Sequence, residues 1–518
     1  MPNNLTNLNI AFLPRSLVSY AGVEYGLINS QAGIKLVIRA SPTLPVFDLF
    51  EGEHVGWNDQ TLFIGPLNPH NAAALRAQIP WLRPTLLSLR TSAGMGDRLG
   101  LATPGHVRAI RSARTELAEA KIVPGDLAPI FAQQSIREMT RTGRTPQQVM
   151  DDATWGIFAE GWQGGVGADA DHLKTPADID LCLAAGFSFF TIDPGEYVDA
   201  SAEIASLSTL RELAEKLPVD LQPRASGLLN QRFNIEGRSL YFDEPTLLKA
   251  VVKYGRAVSH VSAMYQHLIH AAGQQPYELE VSVDETEQPT THAEHLYIAS
   301  ELRRLGVEWI SLAPRLVGRF EKGADYIGDL TAFEDDIAGH AAIARQFGPY
   351  KLSLHSGSDK FSIYPAAMQQ TGGLIHLKTA GTSYLEALRT IAVLDVDLFD
   401  EIYAFARGRY ETDRASYHVS AELVHAPLPQ EVANWPRDTH SALLDQFDAR
   451  EILHVTYGSI LTERNSSSDN PLAEDWRFYD RIMALLKTNP DAYAANLERH
   501  FARHLKPFMS PIIHNRID

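Results

Sequence analysis

Short apolar runs that end in polar residues and give way to helical spacing recur through the middle of the chain. Eight segments carry the strand pattern: residues 86–89, 128–133, 166–172, 187–193, 278–284, 307–313, 351–355 and 374–379. Helical spacing follows several of them, as over 176–185 and 291–305. The second of these helices starts at the pair Thr290-Thr291, whose hydroxyls suit an N-cap, and stops at Gly306. Strands alternating with helices build a parallel sheet, and eight of them predict closure into a (β/α)8 TIM-type barrel of the α/β class. An open doubly wound sheet is the alternative. The glycine-rich stretch Gly164-Gly-Val-Gly167 weighs against it, because it precedes a strand and does not continue as G-x-G-x-x-G. No Walker A sequence occurs either.

Three regions follow from this pattern. Residues 1–80 read as an N-terminal α/β extension with strand-like pieces at 9–12, 33–38 and 61–64. Residues 81–385 form the catalytic barrel, with a mostly helical insertion at about 195–275 that either caps the active face or extends a subunit contact. Residues 386–518 read as a helical C-terminal region packed on the barrel. The insertion and the C-terminal region each leave room for a homo-oligomer.

Composition narrows the function classes. The 518 residues carry 46 Lys and Arg against 63 Asp and Glu, a formal charge of −17 that argues against nucleic-acid partners. A single cysteine, Cys182, excludes an intrachain disulfide framework and a zinc site built from four cysteines, and its apolar setting reads as a core thiol. There is no basic start followed by an apolar run and no stretch of about 18 apolar residues, so neither a secretory signal nor a membrane span is expected. The expected compartment is the cytoplasm.

Chemistry concentrates at the strand ends. Alternate residues of a barrel strand face the lumen, and sites form at the carboxyl ends. Lys351, Ser353 and His355 then point inward, as do Glu280, Ser282 and Asp284, and His376 with Lys378. Residues 166–172 end in Asp169-Ala-Asp171-His172, followed by Lys174; the next strand ends at Asp193, and the sixth at Arg315. Ionisable groups inside a barrel are costly unless paired or bound to a ligand, so the set points to a site. His172, His355 and His376 form a candidate metal trio, with Glu280 or Asp284 as a replacement for one of them. Asp171 is the candidate general base, and Glu280 or Asp284 the counterpart acid. Lys174, Arg315, Lys360, Lys378 and Gln133 are the candidates for holding substrate. The ligand types suit zinc, manganese, nickel or iron.

Four blocks resemble the tagaturonate/fructuronate epimerase family of bacterial hexuronate catabolism: Gly167-Ala-Asp-Ala-Asp-His-Leu-Lys-Thr175, Phe190-Thr-Ile-Asp-Pro-Gly195, Glu280-Val-Ser-Val-Asp-Glu-Thr286 and Leu354-His-Ser-Gly-Ser-Asp-Lys-Phe361. The resemblance spans most of the chain from Leu86 onward. It implies a cytoplasmic isomerase that interconverts D-tagaturonate and D-fructuronate with a divalent metal, and it carries Asp171 over as base and His172 as metal ligand. These keto-acids differ two bonds from the ketone, where enolisation cannot invert the carbon. Retro-aldol cleavage, rotation of the aldehyde and re-addition on its other face is the route that needs no organic cofactor. A Schiff-base lysine, Lys351 or Lys378, is the alternative to the metal. A metal-dependent aldolase, an isomerase of another keto-sugar or sugar acid, and a sugar-acid binding protein without turnover are the competing readings.

Overall fold

The structure, a computed structural model, describes residues 12–30, 33–41, 45–57, 60–379, 381–417, 419–465 and 475–512. It opens on an antiparallel sheet of β1 (Val18–Tyr20), β2 (Val23–Ser30), β3 (Gly33–Arg39), β4 (Glu53–Trp57) and β5 (Gln60–Gly65), in the order β1-β2-β3-β5-β4. Leu36, Val37 and Ile38 are fully buried on β3. Helix Pro69–Gln78 then leads toward the barrel. Of the strand piece expected at 9–12, residues 9–11 lie outside the described residues, and Phe12 makes an isolated bridge to Ile28.

The barrel is closed and parallel. Its strands are β6 (Ser92–Met95), β7 (Ala128–Ser135), β8 (Gly167–Leu173) and β9 (Phe189–Ile192). After a hairpin of β10 (Arg232–Ile235) and β11 (Arg238–Tyr241) come β12 (Glu278–Val283), β13 (Ser311–Pro314), β14 (Lys351–Leu354) and β15 (Ile375–Thr379). β15 pairs back onto β6 through His376↔Ser92 and Lys378↔Gly94. The helices between strands start where the sequence supplies caps. Thr175 and Thr291 each form a capping box with the acidic residue three positions on, worth about 1 kcal/mol each. Leu279, Val281, Leu352, Leu354, Ile375 and Leu377 are buried, leaving the alternate positions of β12, β14 and β15 for the lumen.

One expectation is corrected. The first barrel strand is 92–95, not 86–89. Residues 86–89 form a turn in which Ser88 has φ 53° and the Glu278 carboxylate accepts the Leu87 and Ser88 N–H groups. The true strand reads Ser-Ala-Gly-Met, small residues that carry little hydrophobic signal. The insertion is mostly helical, with the β10–β11 hairpin ahead of its long helix, Glu244–Ala272. After β15 the chain is helical, through Thr382–Leu394 and Val396–Asp413 to Pro490–Met509, which lays Leu497, Phe501 and Leu505 into the core. No helix among the described residues is long and apolar enough to cross a membrane.

Candidate active site

Bonds between strands that are not neighbours must cross the lumen, and they define its contents. Lys351 Nζ on β14 donates to Ser92 Oγ on β6 at 2.9 Å. Lys378 Nζ on β15 lies 2.6 Å from Asp171 Oδ1, 2.9 Å from Asp169 Oδ2 and 2.9 Å from Glu280 Oε1, and donates to Thr191 Oγ1 at 2.7 Å. Burial opposes the Lys378 charge, but Asp169, Asp171 and Glu280 outweigh it and hold the ammonium well above the usual lysine range. Those carboxylates respond in kind. Burial alone would raise Asp171 and Glu280, yet His172 and Lys378 hold the first, and Lys378 and His355 the second, well below their ordinary values.

The two mouth histidines are each gripped from behind by a carboxylate. His172 Nδ1 lies 2.9 Å from Asp171 Oδ1, and His355 Nε2 lies 2.8 Å from Glu280 Oε1. Their other nitrogens face Asp284 Oδ1, His355 Nδ1 at 3.0 Å and His172 Nε2 at 3.7 Å, and neither is aligned as a hydrogen bond. The rings stand 4.9 Å apart. Burial opposes protonation of His355, and Asp284 reverses that, pushing it up to about 9. Consecutive strand residues face opposite sides, so Asp171 and His172 should not share a face. They do because His172 takes φ 54° and the pairing of β8 with β9 breaks register between Ala170 and Leu173. A non-glycine residue in that region costs on the order of 1–2 kcal/mol, here spent on aiming an imidazole.

Two cavities open on this cluster. One of about 650 Å³ is lined by Asp284, His355, Arg315, Arg137, Lys322 and Tyr417, among others. The other, of about 320 Å³, is lined by Asp171, His172, Lys174, Arg98, Glu138 and Tyr457 among its residues. The Arg315 side chain makes no hydrogen bond or ion pair among the described residues, while Arg137 is paired with Glu285 at 2.7 Å. Burial lowers the Arg315 pKa and Asp284 works against that.

A profile of the tagaturonate epimerase family matches residues 13–508. The chain belongs to that family. The tagaturonate/fructuronate epimerase of Thermotoga maritima is 42% identical over 445 residues, 86% of each chain. The fructuronate-tagaturonate epimerase of Cohnella laeviribosi is 34% identical and superposes with a TM-score of 0.87, over 97% of each chain in its native crystal structure and 96% of each in a glycerol complex.

Within this epimerase scaffold the expected residues separate. His172 and His355 come together, and Asp171 joins them within a 4.8 Å span. His376 does not: it lies one lumen layer deeper, with Nδ1 2.9 Å from Ser92 Oγ and its ring 5.3 Å from Phe189, and burial lowers its pKa. Asp284, one of the two carboxylates named as a replacement, faces both imidazoles instead. Lys360 is buried, its ammonium donating to the carbonyls of Glu321, Ala324 and Ser358, where it fastens the loop after β14. Gln133 lies buried over Gly94, where a Cβ would come 2.6 Å from its Oε1, and its amide has no partner among the described residues. Lys174 reaches Glu196 at 3.2 Å and Asp193 at 3.7 Å on the rim. Arg137, Lys322, Tyr417 and Glu285 escaped the sequence reading. Arg137 follows the end of β7, a position that strand-end reasoning could have flagged.

His172, His355 and Asp284 offer donor types that suit a divalent cation. Two imidazole nitrogens without hydrogen-bond partners converge on one carboxylate oxygen, and each imidazole is oriented by a buried carboxylate on its far nitrogen, the usual outer shell of a metal-bound histidine.

Proposed function

We propose that the protein interconverts D-tagaturonate and D-fructuronate by retro-aldol cleavage and re-addition, with a divalent cation held by His172, His355 and Asp284. What supports this reading most is the pair of carboxylate-backed imidazoles facing Asp284 at the edge of a cavity with a free guanidinium. A divalent cation supplies Lewis-acid polarisation of the ketone and of the neighbouring hydroxyl. The remaining steps belong to the chain. Arg315 binds the substrate carboxylate, since its guanidinium has no competing partner. Asp171 Oδ1 is occupied by Lys378 and His172, so Oδ2 takes the proton from the hydroxyl on the carbon that inverts. The adjacent carbon–carbon bond then breaks, its electrons passing to the ketone side as an enediolate. The aldehyde turns over, the bond re-forms on its other face, and the proton returns from Asp171. Lys378 keeps Asp171 and Glu280 charged and apart, while Glu280, fully buried and lining neither cavity, positions His355 without touching substrate. The compartment we assign is the cytoplasm, in keeping with the free buried thiol of Cys182.

The test is a proton NMR time course with tagaturonate on chelator-treated protein, with and without added divalent metal. Fructuronate signals that appear only when metal is restored support the proposal. Full turnover of the stripped protein sinks the cation, and net accumulation of three-carbon fragments would favour an aldolase.

A further inference from the structure

A second histidine constellation lies outside the barrel, between helix His292–Arg304 and helix Leu330–Phe347. Asp336 and His340 are four residues apart on the second helix and so share a face. Asp336 Oδ1 stands 3.5 Å from His340 Nε2 and 3.5 Å from His292 Nε2, and one ligand atom from each residue fits within a 4.8 Å span. A tetrahedral cation with bonds of about 2.0–2.1 Å sets its donor atoms about 3.3–3.4 Å apart. The spacing observed is long for a hydrogen bond and close to that of a shared ion.

Three features go beyond the spacing. His340 is fully buried and its Nε2 has no hydrogen-bond partner among the described residues, a costly state for an imidazole with nothing to bind. Gly339 is the residue beneath the His292 ring: a Cβ there would fall 2.2 Å from His292 Nε2, so only glycine lets that ring lie against the helix. The third is a relay behind His340. Its Nδ1 lies 2.8 Å from His295 Nδ1, and His295 Nε2 lies 2.8 Å from the Tyr350 hydroxyl. When His295 Nε2–H donates to the Tyr350 oxygen, His295 Nδ1 accepts from His340 Nδ1–H, and His340 Nε2 presents a lone pair toward Asp336. Buried second-neighbour partners of this kind fix the tautomer of metal-bound histidines. His292 Nε2 also lies 3.0 Å from the Asp336 carbonyl oxygen, so binding moves its proton to Nδ1.

We propose that His292, Asp336 and His340 form a second, structural site for a divalent cation of borderline softness, with zinc the best match to two imidazoles and one carboxylate. His292 and Asp336 keep 20% and 12% of their side chains exposed, which leaves a water to complete the coordination. The site would brace the mouth of the barrel from outside. Asp336 Oδ2 accepts the Val317 N–H at 3.0 Å, and Thr290 Oγ1, two residues before His292, accepts the Arg315 N–H at 3.0 Å. Both anchors hold the loop that carries Arg315.

The experiment uses the full chain carrying His172→Ala, which takes the barrel-mouth nitrogen out of the count. After chelation it is titrated with zinc alone, and crystals soaked in zinc are measured at the zinc absorption edge. One zinc per chain is expected, with its anomalous peak among His292 Nε2, Asp336 Oδ1 and His340 Nε2, and with a rise in Tm on zinc addition. Adding His292→Ala is expected to abolish that zinc and the Tm rise, and Tyr350→Phe to weaken zinc binding about tenfold. Equal zinc uptake and equal Tm response with and without His292, or an anomalous peak confined to other residues, overturns the proposal.

Discussion

At the scale of single residues, the centre of the lumen depends on Lys378. Its ammonium lies within 3 Å of three buried carboxylates, so Lys378→Met takes from Asp169, Asp171 and Glu280 the cation they share. Removing one partner from a buried ionic cluster costs about 3–5 kcal/mol. Urea unfolding of the variant should show a loss of that size together with loss of turnover. An unchanged midpoint would mean that the carboxylates are relieved some other way. Arg315 has the opposite character. It supports no part of the fold through its side chain, so Arg315→Ala should leave Tm unchanged and raise KM for the uronate by about tenfold or more, as expected for one charge-assisted bond. A neutral ketose tested on the same variant should show no such rise. Inward placement of Lys378, Glu280 and Asp284 was legible from strand alternation alone. His172 was named from its place at a strand end and from the resemblance, whereas alternation alone sends it outward and its left-handed backbone returns it to the mouth.

At the scale of elements, helix Phe447–Val455 carries a fully buried carboxyl, Glu451. Burial first, and the nearby Glu321 carboxylate second, push it up to about 8 from an ordinary value of 4.5. Its folded-state value lies above the unfolded one, so the stability it contributes is complete below pH 4.5 and drains away as pH rises toward 8. The slope contributed by one such group is at most about 1.4 kcal/mol per pH unit. Glu451→Gln should flatten the wild-type decline between those limits, read by urea midpoints at a series of pH values. A parallel decline in the variant would assign the slope to other groups. Helix starts were among the clearest features of the sequence, and Thr291→Ala, which opens a capping box, should cost about 1 kcal/mol by the same measurement. The first barrel strand was not legible, because Ser-Ala-Gly-Met lacks the apolar run that marks a strand, whereas the turn before it contains leucines.

At the scale of the whole molecule, the C-terminal helix Pro490–Met509 joins the far end of the chain to the site. It buries Leu497, Phe501, Leu505 and Phe508, and His504 Nε2 accepts the N–H of Asp359, four residues beyond His355. Asp359 is held a second time by Arg450, at 2.7 Å. A chain ending at Thr488 should therefore lose cooperative unfolding, read by circular dichroism and size-exclusion chromatography, since losing several buried aromatic and leucine side chains costs about 2–3 kcal/mol each. A truncated chain that unfolds with the wild-type midpoint would show that this helix is an appendage.

Residue order was enough to dictate the parallel barrel, most of its strands, the capped helices between them and the inward row of acids and bases. These depend on periodicity and on local hydrogen bonding, both of which are written in neighbouring residues. It took the folded chain to show that His376 belongs to a deeper layer, that Asp284 rather than Glu280 faces both mouth imidazoles, and that Lys360 fastens a loop. Depth within a closed barrel is set by the stagger between strands far apart in the chain, and the destination of a loop lysine by which carbonyls the fold brings within its reach.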